Sequence, residues 1–139
     1  MKAQKIEVWS AAIEDKPGAL AAKLKALADA KANLECVVAR REPDKPGQGV
    51  VFVAPVKGKK AAAAAESAGF KKAEGMVAVR VEGADKPGQG ARLAGALAEK
   101  GLNLRELSAA AIGKKFVCYI GFDTEADAAT ALKILKALK

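Results

Sequence analysis

The sequence predicts an α+β fold built from two βαββαβ units in tandem, and three observations carry that prediction. The word Asp15-Lys16-Pro17-Gly18 returns as Asp85-Lys86-Pro87-Gly88, an offset of 70 in a chain of 139 residues. Each copy follows a run of strand-forming residues and opens a helical run rich in alanine and leucine. At that offset, residues 15–39 and 85–109 share 11 identities in 25 positions, including Asn33-Leu34 with Asn103-Leu104. Alanine content inflates such a count, but it does not produce the Asp-Lys-Pro-Gly or Asn-Leu matches. The predicted units are residues 1–75 and 76–139.

In the first unit, Lys5 to Ile13 reads as one strand through Val8 and Trp9. Pro17 suits the first turn of a helix, where its missing N–H is no loss. Asp15 is placed to cap that helix or complement its positive end. Leu20, Leu24 and Leu27 give the helix an apolar stripe ending near Lys31-Ala32. A second strand runs from Leu34 to Arg41 and a third from Val50 to Val53. An alanine-rich helix from Lys57 to Ala68 stops at Gly69, and a short strand from Phe70 to Glu74 closes the unit.

The second unit repeats this order with alternating Val77, Val79 and Val81, a helix from Pro87 to Lys100, and a strand from Asn103 to Ala111. Gly113-Lys114 predicts a tight hairpin into a strand where Phe116, Cys118, Ile120 and Phe122 alternate. Thr124 can cap a last helix lined by Leu132, Leu135 and Leu138. No further strand follows, so the second unit lacks its last strand and leaves a sheet edge to be covered by something else. The offset maps Trp9 onto Val79, which assigns the indole to the core rather than to a ligand. A third copy of the word, Asp44-Lys45-Pro46-Gly47-Gln48-Gly49, sits between two strands with no helix after it. It reads as a hairpin turn and is given no site.

Composition narrows the function classes. Hydrophobic residues make up 51%, but 33 of them are alanine, so a 70-residue half has little bulk to bury alone. The net charge of +8 is spread over both halves, with 14 basic and 9 acidic residues up to Gly75 and 10 and 7 after it. Lysines such as Lys23, Lys25 and Lys31 alternate with alanines, as on a solvated helix face, so nucleic-acid binding is not expected. Cys36 and Cys118 lie in apolar strand patterns without metal-ligand spacing and are expected as buried thiols. No segment is long and apolar enough to span a membrane, and Glu7 interrupts any signal-peptide core. A cytoplasmic protein is expected.

No catalytic residue is assigned. There is no histidine, and Ser10, Ser67 and Ser108 stand in no nucleophile motif. Gly88-Gln89-Gly90 begins like a dinucleotide fingerprint, but Leu93 occupies the place of the third glycine. No metal or cofactor is expected. What remains is a pair of glycine-containing strand-to-helix junctions. The first amides of a helix lack intrahelical acceptors and suit a ligand carboxylate, while Asp15 or Asp85 can accept from an ammonium group. Asn33 and Asn103, each opening the following strand, can both donate and accept. Either feature can equally be structural: proline and glycine set a turn, and an asparagine bonds local backbone.

The succession of strand, Asp-Lys-Pro-Gly-Ala-Leu, leucine-striped helix, Asn-Leu and strand resembles an ACT domain, and both halves share it. The resemblance, to small stand-alone tandem ACT proteins, implies ferredoxin-like units with antiparallel sheets and helices on one face. It also implies a non-catalytic regulatory protein, expected as a homodimer, that binds a free amino acid or similar effector between ACT units. Carried over, the ligand residues are Asp15, Pro17, Gly18, Ala19, Leu20 and Asn33, with Asp85, Gly88, Gln89, Gly90 and Asn103 in the second unit. Gln89-Gly90 replaces Ala19-Leu20, so the second loop loses an apolar anchor. The alternative is a protein-interaction subunit of a separate metabolic enzyme, without a ligand of its own.

Overall fold

The apolar run around Trp9 is divided between two sheets. In the computed structural model, which describes residues 1–73 and 76–139, Lys2–Ile6 forms β1 and Trp9–Glu14 forms β2. Ile6 pairs with Ala78 while Trp9 pairs with Val53. The single predicted strand from Lys5 to Ile13 is therefore two, separated at Glu7-Val8.

The chain divides into two compact units, Glu7–Glu74 and Met1–Ile6 with Gly75–Lys139. In the first, β2 is followed by α1 (Ala19–Asp29), β3 (Cys36–Arg41), β4 (Gln48–Ala54), α2 (Lys59–Ser67) and β5 (Lys71–Lys72). The antiparallel sheet has the order β3-β4-β2-β5. Trp9, Ala11, Val51 and Val53 face Leu27 of α1, Ala65 of α2 and Phe70, so both helices cover one face. Trp9 is buried as expected, its indole N–H donating to Glu7 Oε1 at 3.2 Å. The alanines of α2 bring that helix close: Ala61 and Ala65 are buried where bulkier side chains would hold it away. The expected end of the last strand at Glu74, and Gly75 at the unit boundary, lie outside the described residues.

The other unit runs β6 (Val77–Ala84), α3 (Gln89–Ala98), β7 (Glu106–Ile112), β8 (Lys115–Phe122) and α4 (Glu125–Ala137). Its sheet order is β1-β6-β8-β7, the same arrangement with β1 in the place of β5. The missing last strand is thus supplied from the other end of the chain. The expected units 1–75 and 76–139 differ from the observed ones at Met1–Ile6 for this reason. The segment is held by more than the ladder. Ala3 is buried, the Met1 amino group donates to the Leu138 carbonyl, and Lys5 pairs with Glu125. Phe116, Cys118, Ile120 and Phe122 are all buried, as their alternation predicts, against Leu93, Leu97 and Leu135. Thr124 Oγ1 accepts from the Asp127 amide at 3.1 Å, the expected cap of α4.

Each sheet ends in two edge strands, and those opposite β5 and β1 are β3 and β7. Each carries an exposed apolar residue at the same place in the repeat, Val37 at 43% and Leu107 at 42% exposure.

Candidate functional site

The loop between β2 and α1 is fixed at its β2 end by two backbone bonds. The Asp15 amide donates to the Gly47 carbonyl at 3.0 Å, and the Lys16 amide donates to the Glu14 carbonyl at 3.0 Å. Gly18, at φ 85°, is the N-cap of α1, a left-handed conformation that costs a residue with a Cβ about 1–2 kcal/mol. Pro17 therefore lies in the turn before the cap and not in the first helical turn. Asp15 does not cap α1 either; Oδ2 accepts from Arg41 Nε at 2.9 Å. The first N–H groups of α1 remain without intrahelical acceptors.

Arg41 reaches Asp15 because of one glycine. Ile13, Gly49 and Arg41 form a row across β2, β4 and β3, with side-chain positions on the same face. Gly49, lying between, has no side chain. A Cβ there would sit 2.8 Å from the Arg40 carbonyl oxygen and 3.2 Å from Ile13 Cγ1. The result is a cavity of about 420 Å³ lined by Ile13, Glu14, Asp15, Lys16, Leu20, Ala39, Arg40, Arg41 and Gly49. A second hollow of about 400 Å³ shares Ile13, Glu14 and Lys16 and adds Ala12, Ala19 and Lys23. Both volumes lie within the usual range of small-molecule sites.

The electrostatics of the rim are two ion pairs. Lys16 Nζ lies 2.7 Å from Glu14 Oε2, and that bond holds the Glu14 carboxyl below the usual carboxylate range while raising Lys16. Arg41 uses only Nε on Asp15 among the described residues, which leaves its two terminal amino groups for other acceptors. Opposed to these charges are the partly buried side chains of Ile13 and Leu20. Such a rim can hold an ammonium on a carboxylate and a carboxylate on a guanidinium, with apolar surface beside both.

Of the residues expected in the first unit, Asp15 and Leu20 line this cavity and Ala19 lines its neighbour, while Pro17 and Gly18 shape the turn. Asn33 is exposed and sits beyond the far end of α1, a helix about 16 Å long, so the unit does not bring it to the loop. Asn103 stands in the same relation to α3. Sequence reasoning missed Arg41 and Gly49. The signal was available in the topology: β2 and β3 run parallel in a βαββαβ sheet, so the residue ending β3 lies near the one ending β2. The hairpin set aside as a turn is indeed one, with the Gln48 amide donating to Lys45 O at 3.0 Å. It nonetheless borders the site, through Gly47 and Gly49.

At the second loop Gly88 is again a left-handed N-cap, at φ 83°. Gln89 folds back onto that loop, Nε2 donating to the Ala84 carbonyl at 2.9 Å, and Arg92 Nη1 lies 3.5 Å from its Oε1. The row matching Ile13–Gly49–Arg41 is Gly83–Phe116–Ala111. Phe116, 6% exposed, fills the room that Gly49 leaves, and a Cβ on Gly83 would lie 3.1 Å from its ring. Asp85 has no arginine across from it.

Among the described residues, no cluster of three or more His, Cys, Asp or Glu could hold a metal, and no helix is long and apolar enough to cross a membrane.

No family model and no curated protein matches this sequence. Solved structures do. Protein BT0572 from Bacteroides thetaiotaomicron superimposes with a TM-score of 0.79 at 19% identity, over 96% of this chain and 88% of that one. The regulatory subunit of aspartate kinase from Thermus thermophilus follows at 0.66 and 19%, over 99% and 96%. That from Thermus flavus gives 0.62 and 18%, over 97% and 94%. The likeness runs through both units and both sheets. In fold, then, this chain is similar to those structures, with two ferredoxin-like α+β units in tandem.

Proposed function

We propose that this chain is a non-catalytic regulatory protein that binds a free amino acid or similar small effector at the β2–α1 loop. The observation that carries the reading is the cavity at that loop, where the Asp15–Arg41 pair, the Lys16–Glu14 pair and the Ile13–Leu20 surface converge. The likeness to regulatory subunits of aspartate kinase supports a regulatory rather than catalytic role. The equivalent place in the other unit holds Phe116 and a folded-back Gln89, so one site per chain is expected, with Gly88, Gly90 and Asp85 serving the turn. The edge strands β3 and β7, with Val37 and Leu107 exposed, support self-association as a dimer.

A thermal-shift screen across the twenty amino acids tests this, because a ligand that binds only the folded chain raises its stability. At a hundred times its Kd, a binder contributes about 2.7 kcal/mol. A flat response to all twenty and to their deaminated analogues would end the reading. The second reading, an interaction subunit of a separate enzyme, is favoured by the regulatory-subunit likeness alone. A stoichiometric enzyme partner recovered with a chain that is silent in the screen would establish it.

A further inference from the structure

We propose that Arg41 is the specificity-determining residue of the loop, taking the ligand's carboxylate, and that Ile13 and Leu20 select an aliphatic side chain. The inference rests on the reading of the β2–α1 loop as an amino-acid site.

The argument begins with what Arg41 does not use. Its Nε is engaged by Asp15 Oδ2 at 2.9 Å, which anchors the guanidinium at the mouth of the cavity. The two terminal amino groups have no further acceptor among the described residues, and the side chain is 83% exposed. A planar guanidinium held by one edge offers the adjacent edge to a carboxylate, a geometry that a lysine ammonium cannot reproduce. Asp15 meanwhile keeps Oδ1 for a donor. An α-amino acid satisfies both groups at once, its carboxylate on Arg41 and its ammonium on Asp15. An amine lacks the first contact and a 2-oxo acid the second.

The remaining lining settles the side chain. Lys16 and Glu14 satisfy each other. Arg40 alternates to the other face of the sheet, its guanidinium 5.8 Å from the centroid of the Phe52 ring, while Ile13, Leu20 and Ala39 present only hydrocarbon and Gly49 presents no side chain. A polar or charged ligand side chain would lose hydration against that surface without gaining a partner, whereas an aliphatic one gains about 25 cal/mol per Å² of apolar area removed from water. The second unit supplies the contrast, with Ala111 at the place of Arg41 and Gly90 at the place of Leu20.

Isothermal titration of the full chain with L-valine, L-leucine, L-isoleucine, L-lysine and L-glutamate tests the proposal. Isobutylamine and 2-oxoisovalerate, which lack the carboxylate and the amine of valine, are titrated in parallel. The expected result is one site per chain, preference for the aliphatic amino acids, and no measurable binding of either analogue. Arg41→Gln should then weaken binding roughly ten- to hundredfold, with partial recovery in Arg41→Lys. Urea midpoints should not move, because the side chain is exposed. Unchanged affinity in Arg41→Gln overturns the role of Arg41 while leaving the amino-acid site standing. Preference for lysine or glutamate overturns the aliphatic selection in the same way. If none of the five amino acids binds, and the wider screen is flat as well, the inference and the reading beneath it both fail.

Discussion

The two strand-to-helix loops of this chain are near copies in backbone and opposites in content. Both carry Asp-Lys-Pro-Gly, both place glycine at a left-handed N-cap (φ 85° and 83°), and both lean an aspartate amide on a hairpin carbonyl. What separates them is a single row across the sheet. Ile13–Gly49–Arg41 is large, empty, large; Gly83–Phe116–Ala111 is small, large, small. The turn word therefore sets the path of the main chain. The residues on neighbouring strands decide whether that path encloses a cavity or packs solid. A repeat can keep its architecture while one copy gives up its room to the core.

The sharpest way to break this comparison is at Phe116. If it is the plug of the second loop, Phe116→Ala should cost about 3–5 kcal/mol, the usual range for removing a buried phenylalanine. Urea unfolding of the variant measures it directly. A loss below about 1 kcal/mol would mean the ring is not packed into that space, and the contrast between the two rows would lose its physical basis.

Two residues further along the strand from Phe116, the twins differ again. Cys118 lies in the row Val81–Cys118–Ala109, where the other unit has Ala11–Val51–Ala39. Burial pushes the Cys118 thiol up to about 11 from an ordinary 9.0. The folded state thus holds its proton where the unfolded chain releases it. This contribution to stability is intact below pH 9 and is lost as pH rises toward 11. Over those two units the loss amounts to about 3 kcal/mol at most. Cys118→Val, which installs the twin's residue, should unfold at alkaline pH with a shallower decline than the parent. Parallel stability curves for parent and variant between pH 8 and 11 would show that the thiol does not titrate in this way.

The repeat itself was legible because glycine, proline and asparagine at a fixed offset report backbone constraints that composition cannot imitate. Buried strands such as Phe116 to Phe122 were legible from their alternation. The break at Glu7-Val8 was not, because both halves of the run favour extended backbone and nothing local says that they belong to different sheets. The long-range ladder with β6 is what places Lys2–Ile6 in the other sheet. Arg41 was overlooked for a related reason. Its partner Asp15 is 26 residues away, and the path between them depends on an intervening residue, Gly49, that contributes by being absent from the face. Asp15 looked like a cap from local sequence, yet the ion pair across the sheet takes its carboxylate instead.

The smallest expected effect lies at the other end of the two helices. Both α1 and α3 end in the same pattern: the Ala32 amide donates to Leu27 O at 3.0 Å, and the Leu102 amide to Leu97 O at 3.1 Å. That closure requires a left-handed residue in between, which is Gly101 (φ 72°) in one helix and Lys31 (φ 63°) in the other. A lysine there bears the Cβ–carbonyl crowding of roughly 1–2 kcal/mol that glycine escapes. Glycine gives back part of this by freeing the unfolded chain, by roughly 0.5–1 kcal/mol. Lys31→Gly should accordingly stabilise the protein by about 0.5–1 kcal/mol, and Gly101→Lys should destabilise it by a similar amount. A Cβ on Gly101 meets no atom within 4 Å, so the second change isolates backbone strain from packing. Urea midpoints of the two variants measured against the parent decide the matter. Shifts of opposite sign mean that the helix ends obey one rule with two residues, and a neutral Gly101→Lys would mean that the left-handed closure is not what stops these helices.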